Sequence, residues 1–147
     1  MKDKIKKFLP WILLVCWCLL IFAFSARTAV DSTKDSDKIV RSIFKKTDPD
    51  LYKKLTIIVR KSAHFFLYFV LGIFSLPVFF SIKHIKRTRL FSISFCAIYA
   101  LSDELHQFFV PGRSCEFTDV LLDSVASFLS ILLFYYIIRR CQNCEQK

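Results

Sequence analysis

The sequence is poor in the residues that break or bend a chain, with 2 glycines and 4 prolines among 147 residues. That scarcity excludes collagen-like repeats and low-complexity disorder. Its 6 cysteines are too few and too scattered for a small disulfide-stapled secreted fold. Acidic residues are also few, 12 against 22 Lys and Arg, which leaves a net charge of +10. What the chain has in excess is apolar side chain, 54% of residues, including 17 phenylalanines. A soluble domain of this size buries only about two-thirds of its surface, so this composition argues against an ordinary soluble globule. The length suits one domain over residues 1–147. The positive charge would suit nucleic acid or an anionic membrane surface, and its placement decides between them.

Crossing a hydrocarbon core about 30 Å thick takes roughly 20 apolar residues as a helix. Four runs qualify, at about 8–24, 63–82, 90–110 and 117–138. The first carries no charge, the second only His64, the third none before Asp103, and the fourth none after Asp123. No run alternates as a barrel strand must. The fold expected is an all-α integral membrane protein, a four-transmembrane-helix bundle. The first run follows Lys2, Lys4, Lys6 and Lys7, and Ala23–Ala26 is a weak cleavage pattern, so it reads as a retained helix rather than a removed leader.

Lys83, Lys86, Arg87 and Arg89 fill the second connection, Arg139, Arg140 and Lys147 follow the last run, and the third connection holds only Arg113. The positive-inside bias then puts both termini in the cytoplasm. These basic residues read as orientation determinants, and no nucleic-acid-reading element accompanies them. The long first connection, 25–62, is assigned to the outside because it is long and mixed in sign, and a helical connection is expected there. Asp48-Pro49 reads as an N-cap followed by proline at the first helical position. Before it, Ile39, Val40, Ile43 and Phe44 recur at helical spacing among Lys38, Arg41, Lys45 and Lys46. This is either an amphipathic helix on the membrane surface or a solvated connector.

The remaining ionisable residues form stripes, since a helix advances about 100° per residue. On the third run Asp103, Gln107, His106 and Tyr99 share one arc while Leu101, Leu105 and Phe108 take the opposite one. On the fourth, Asp119 and Asp123 continue into Ala126, Ser127 and Ser130; on the second, Arg60, Lys61, His64 and Tyr68 lie on the face of Gly72 and Ser75. All three stripes fall at the same end of the membrane. An ion at mid-membrane costs about 2.5–3.5 kcal/mol on insertion scales, so the stripes should face one another around a polar pocket floored by Tyr68 and Tyr99. Val110-Pro111-Gly112-Arg113-Ser114 reads as a type II turn that holds Arg113 over its mouth, with Ser114 capping the last helix. Arginine there can pair bidentately with a carboxylate or phosphate.

These residues resemble a family. Val59-Arg60-Lys61-Ser62-Ala63-His64-Phe65 with Tyr68 is similar to the second-span signature of VanZ-like membrane proteins. So are Ser102-Asp103-Glu104-Leu105-His106-Gln107-Phe108, the Val110-Pro111-Gly112-Arg113-Ser114 turn with Asp119, and Phe24-Ser25. The resemblance implies a bacterial cytoplasmic-membrane protein of about four spans, in a family whose namesake is associated with low-level teicoplanin resistance. It implies no mechanism.

Three uses of the pocket are expected from its residues. As an active site, His64, Asp103, Glu104 and His106 offer acid–base groups, and a lipid-linked cell-wall intermediate or a phospholipid headgroup presents polar groups at the right depth. As a binding site, Arg60, Lys61, Tyr68, Gln107, Arg113, Asp119 and Asp123 would hold that headgroup without turnover. As a structural cluster, the same groups would neutralise one another and lock helix pairing. Counting Asp103, Glu104, Asp119 and Asp123 against Arg60, Lys61 and Arg113 leaves about one negative charge, which permits a divalent cation and disfavours phosphate without one. His64, Asp103 and His106 are sparse metal-ligand candidates. Cys16, Cys18 and Cys96 read as small apolar residues; Cys115 stands alone, and Cys141 with Cys144 is an isolated pair of weak redox or metal spacing.

Overall fold

The structure, a computed structural model, describes the chain except residues 1, 45–47, 81–84, 114–115 and 146–147, with backbone only at 2–7, 29, 85–86 and 141–145. The expected Ser114 cap, the expectations for Cys115, Lys45, Lys46 and Lys83, and those for the side chains of Cys141 and Cys144 lie outside the described residues. The described residues form five helices and no strand: α1 Lys2–Ser25, α2 Ala29–Ile43, α3 Pro49–Phe80, α4 Ile85–Phe108 and α5 Phe117–Glu145.

Among the described residues, three helices are long and apolar enough to cross a membrane: α1 over Phe8–Ser25, α3 over Pro49–Phe80 and α5 over Phe117–Arg140. Helix α4 falls short by composition, because Arg87 and Arg89 stand at one end and Asp103, Glu104, His106 and Gln107 at the other. The surfaces fit hydrocarbon rather than water. Phe8, Ile12, Val15, Leu19 and Phe22 are exposed along α1, and Leu121, Val125, Phe128, Leu129 and Leu132 along α5. Patches of this extent on a monomer mark a membrane or partner surface.

Helices α1, α3, α4 and α5 alternate in direction. Ser75 meets Cys96 and Tyr68 meets Tyr99, so α4 runs antiparallel to α3. Lys61 meets Asp119 and His64 meets Asp123, so α5 runs parallel to α3. Trp17 Nε1 donates to Leu67 O at 2.9 Å, and Tyr99 Oη donates to Cys18 O at 2.7 Å, tying α1 to both neighbours. The end of α1, the N-terminal half of α3, the end of α4 and the start of α5 therefore gather at one end of the bundle.

Helix α3 starts at Pro49 and runs unbroken into the apolar run and through Pro77. The connecting helix α2 starts ten residues before its apolar cluster, at Ala29, and is capped by Thr28, whose side chain accepts from Asp31 N. Its apolar positions have two destinations rather than one. Val40 is fully buried, while Ile39, Ile43 and Phe44 stay exposed. Polar contacts seat α2 on α3: Thr56 Oγ1 donates to Asp37 Oδ1 at 3.2 Å and Arg41 Nε donates to Tyr52 Oη at 3.0 Å.

Candidate functional site

At the gathered end of the bundle the polar side chains lie in two storeys. The upper one is a small cleft of about 50 Å³ lined by Arg60, His64, Gln107, Gly112, Arg113, Glu116 and Asp119. Its rim is set by the turn between α4 and α5. Gly112 has φ 78°, and Arg113 N donates to Val110 O at 3.2 Å, which is the four-residue closure expected of a Pro-Gly type II turn. The tight turn leaves Arg113 half-buried over the cleft. Burial holds its guanidinium below the ordinary arginine value, the charge of Arg60 adds to that, and Asp103 and Glu104 partly offset it.

Gln107 connects the two storeys. Arg113 Nη1 donates to Gln107 Oε1 at 2.7 Å, and Gln107 Nε2 donates to Asp103 Oδ2 at 3.1 Å. Only this amide orientation satisfies both neighbours. Lys61 from α3 bridges the start of α5, to Asp119 and, at 3.5 Å, to Glu116. Among the described residues Arg60 has no ion-pair partner. Around the cleft, Arg60, Lys61 and Arg113 face Glu116 and Asp119, which leaves one positive charge.

The lower storey holds His64, Tyr68, Asp103 and Asp123. His64 Nδ1 stands 3.7 Å from Asp123 Oδ2, beyond a hydrogen bond. Both Asp123 oxygens, Asp103 Oδ1, His64 Nδ1 and Tyr68 Oη are buried without hydrogen-bond partners among the described residues. The Tyr68 hydroxyl has Asp103 and Asp123 as its electrostatic neighbours. The charges counted together from sequence as a deficit of one are thus separated by height, positive at the rim and negative beneath.

Two of the expected acid–base groups sit elsewhere. Glu104 is buried, but its Oε2 accepts from Glu116 N at 3.1 Å, so it anchors the segment leading into α5. His106 stacks on Phe22 of α1, ring centroids 4.5 Å apart, and does not line the cleft. Of the two floor tyrosines, Tyr68 reaches the carboxylates and Tyr99 turns toward α1. Glu116 is the cleft residue that sequence reasoning did not single out. Its only signal was its place three residues past Arg113 in the same turn.

Beside the cleft runs a wider groove of about 270 Å³ between α1, α2 and α3. Phe24, Ile39, Val59, Ala63, Phe66 and Leu67 line it, with the paired Arg27 and Asp35, Ser32 and Ser36 along α2 and its approach, and Arg60, His64 and Arg113 are shared with the cleft. An opening with charged groups at one end and an apolar trough beside it offers separate surfaces to the two halves of an amphiphile.

A protein-family model described as VanZ/LLP1 matches residues 9–139, which includes every residue of both storeys. No curated protein and no solved structure gives a significant match.

Proposed function

The chain belongs to the VanZ/LLP1 family, and from that premise we propose that it is a bacterial cytoplasmic-membrane protein whose outward-facing cleft binds the anionic headgroup of an amphiphile. The apolar groove takes the chain of that molecule. A phospholipid and a lipid-linked cell-wall precursor share this chemistry. The observation that carries the reading is Arg60: a half-buried cation without an ion-pair partner among the described residues, common to the polar cleft and the apolar groove. Guanidinium is the group best matched to a phosphate oxygen pair. Arg113 supplies a second one across the mouth, and His64 is the acid–base group nearest the bound headgroup.

The test is retention of defined lipids by the purified protein, read by native mass spectrometry. One arm uses phosphatidylglycerol, one a prenyl diphosphate standing for the cell-wall carrier, and one phosphatidylcholine as the zwitterionic control. One or both anionic probes should be retained at least about tenfold better than phosphatidylcholine, about 1.4 kcal/mol, and Arg60→Gln should remove that preference. Equal retention of all three lipids would overturn the reading. The association of the family's namesake with teicoplanin resistance suggests a cellular readout, in which expression shifts teicoplanin susceptibility and Arg60→Gln removes the shift.

A second reading has its own observation. The Lys61–Asp119 pair and the Glu104–Glu116 bond tie α3, α4 and α5 together, as a purely structural lock would. Under that reading Arg60→Gln is silent and Lys61→Gln loosens the bundle without changing lipid preference.

A further inference from the structure

The lower storey poses a charge problem that the lipid reading leaves open. Asp103 and Asp123 are 4% and 1% exposed, and among the described residues Asp103 Oδ2 alone of their four carboxylate oxygens has a hydrogen-bond partner. Buried carboxylates without donors are costly, and each unmade bond costs about 1–3 kcal/mol. Among the described residues neither pairs with lysine or arginine. One ligand atom each from His64, Asp103 and Asp123 lies within 4.8 Å of the other two. Two donors on one ion with bonds of about 2.1 Å lie about 3.0–4.2 Å apart, from cis octahedral to trans, so side-chain shifts of about 1–2 Å close the set. The fully buried Tyr68 hydroxyl, also unpartnered, is a further buried polar group beside the two carboxylates.

We propose that His64, Asp103 and Asp123 hold a divalent transition-metal ion beneath the cleft. Two positive charges balance the two carboxylates. One imidazole with two carboxylates favours Mn²⁺ or Zn²⁺ over Ca²⁺, which prefers oxygen donors throughout. Gln107 supports the site from outside by donating to Asp103 Oδ2, as groups around metal ligands commonly do. Its other end is held by Arg113, so the ion site and the rim of the cleft share one hydrogen-bonded chain. The donor set differs from the one expected from sequence, with Asp123 of α5 in the place of His106. This inference stands on the buried cluster and does not depend on which molecule occupies the cleft.

The test uses the full chain in detergent micelles, stripped with chelator and then titrated with Mn²⁺, Zn²⁺ or Ca²⁺ alone. Binding is followed by thermal unfolding and, for Mn²⁺, by electron paramagnetic resonance. Mn²⁺ or Zn²⁺ should bind at one equivalent per chain and raise Tm by about 5 °C or more at saturating ion, while Ca²⁺ should not. Asp123→Asn should lose at least about tenfold in affinity, and His106→Gln should bind as the parent does. Should Asp123→Asn fail to fold, His64→Gln carries the same prediction, and the resonance signal of bound Mn²⁺ in the unaltered chain tests the site without any variant. No ion response in the unaltered chain, a response to Ca²⁺ alone, or equal affinity in the ligand variants would overturn the site. Lipid preference can survive any of these outcomes, so the two proposals fail separately.

Discussion

At the scale of single residues, Gln107 concentrates the argument, because its amide hydrogen-bonds both Arg113 and Asp103. Replacing it by leucine strips an acceptor from a half-buried guanidinium and a donor from a buried carboxylate. That should cost about 1–3 kcal/mol for each group left unsatisfied, read as a lowered denaturation midpoint in detergent. Gln107→Glu keeps the acceptor for Arg113 and loses the donor for Asp103. Pairing it with Asp103→Asn reverses donor and acceptor, so the double variant should recover at least half of the single variant's loss in metal-free buffer. Strict additivity of the two changes would show that the contact carries no coupling. The site was legible to this extent: angular bookkeeping put Asp103 and Gln107 on one arc of α4. That bookkeeping could not tell that Glu104 bonds the backbone of Glu116 or that His106 stacks on Phe22, since both depend on where other helices end.

At the scale of elements, α3 and α5 approach closely at Gly72. An added Cβ at Gly72 would collide with Ser130 Oγ and come within 2.7 Å of Ser127 O and 3.1 Å of Ser127 Cα. The serine side chain can turn away, but the α5 backbone can yield only by moving the helix. Small residues at such crossings let membrane helices approach closely. Gly72→Ala should therefore destabilise by about 1–3 kcal/mol, measured by detergent-mediated unfolding, and Ser130→Ala should not restore the loss because Ser127 is unchanged. A Gly72→Ala variant as stable as the parent would show that the helices can part without cost. Sequence reading placed Gly72, Ser127 and Ser130 on inward stripes, but which pair meets depends on the relative height of α3 and α5. Helix α2 was half-legible for a different reason. Past Ala29 and Val30 its first ten residues are polar and show no apolar period, so only the Thr28 cap and its docking on α3 reveal them.

At the scale of the whole molecule, the unresolved element is α4, whose composition alone does not qualify it to cross a membrane. Its neighbours supply the argument. Helices α3 and α5 are parallel, and each is apolar enough to cross. The chain leaves α3 at Phe80 and enters α5 at Phe117, beside Lys61 and thus near the opposite end of α3. The path back is α4, whose 24 residues extend about 36 Å at about 1.5 Å per residue, enough for a core of about 30 Å. Its polar terminal turn needs no lipid-compatible side chains, because Asp103, Glu104 and Gln107 face inward and are buried, while Leu101, Leu105 and Phe108 are exposed. Hydropathy averages over both faces and so undercounts a helix whose polar face is covered. The outward-facing cleft proposed above therefore predicts that α4 crosses, with the cleft on the outer side. In a background with the native cysteines replaced by alanine, Arg87→Cys and Glu116→Cys should react with a membrane-impermeant thiol reagent from opposite sides. Glu116→Cys should label in intact cells, and Arg87→Cys only after permeabilisation. Labelling of both from one side would remove α4 as a span, and exchanged sides would turn the cleft to the cytoplasm and overturn its outward assignment.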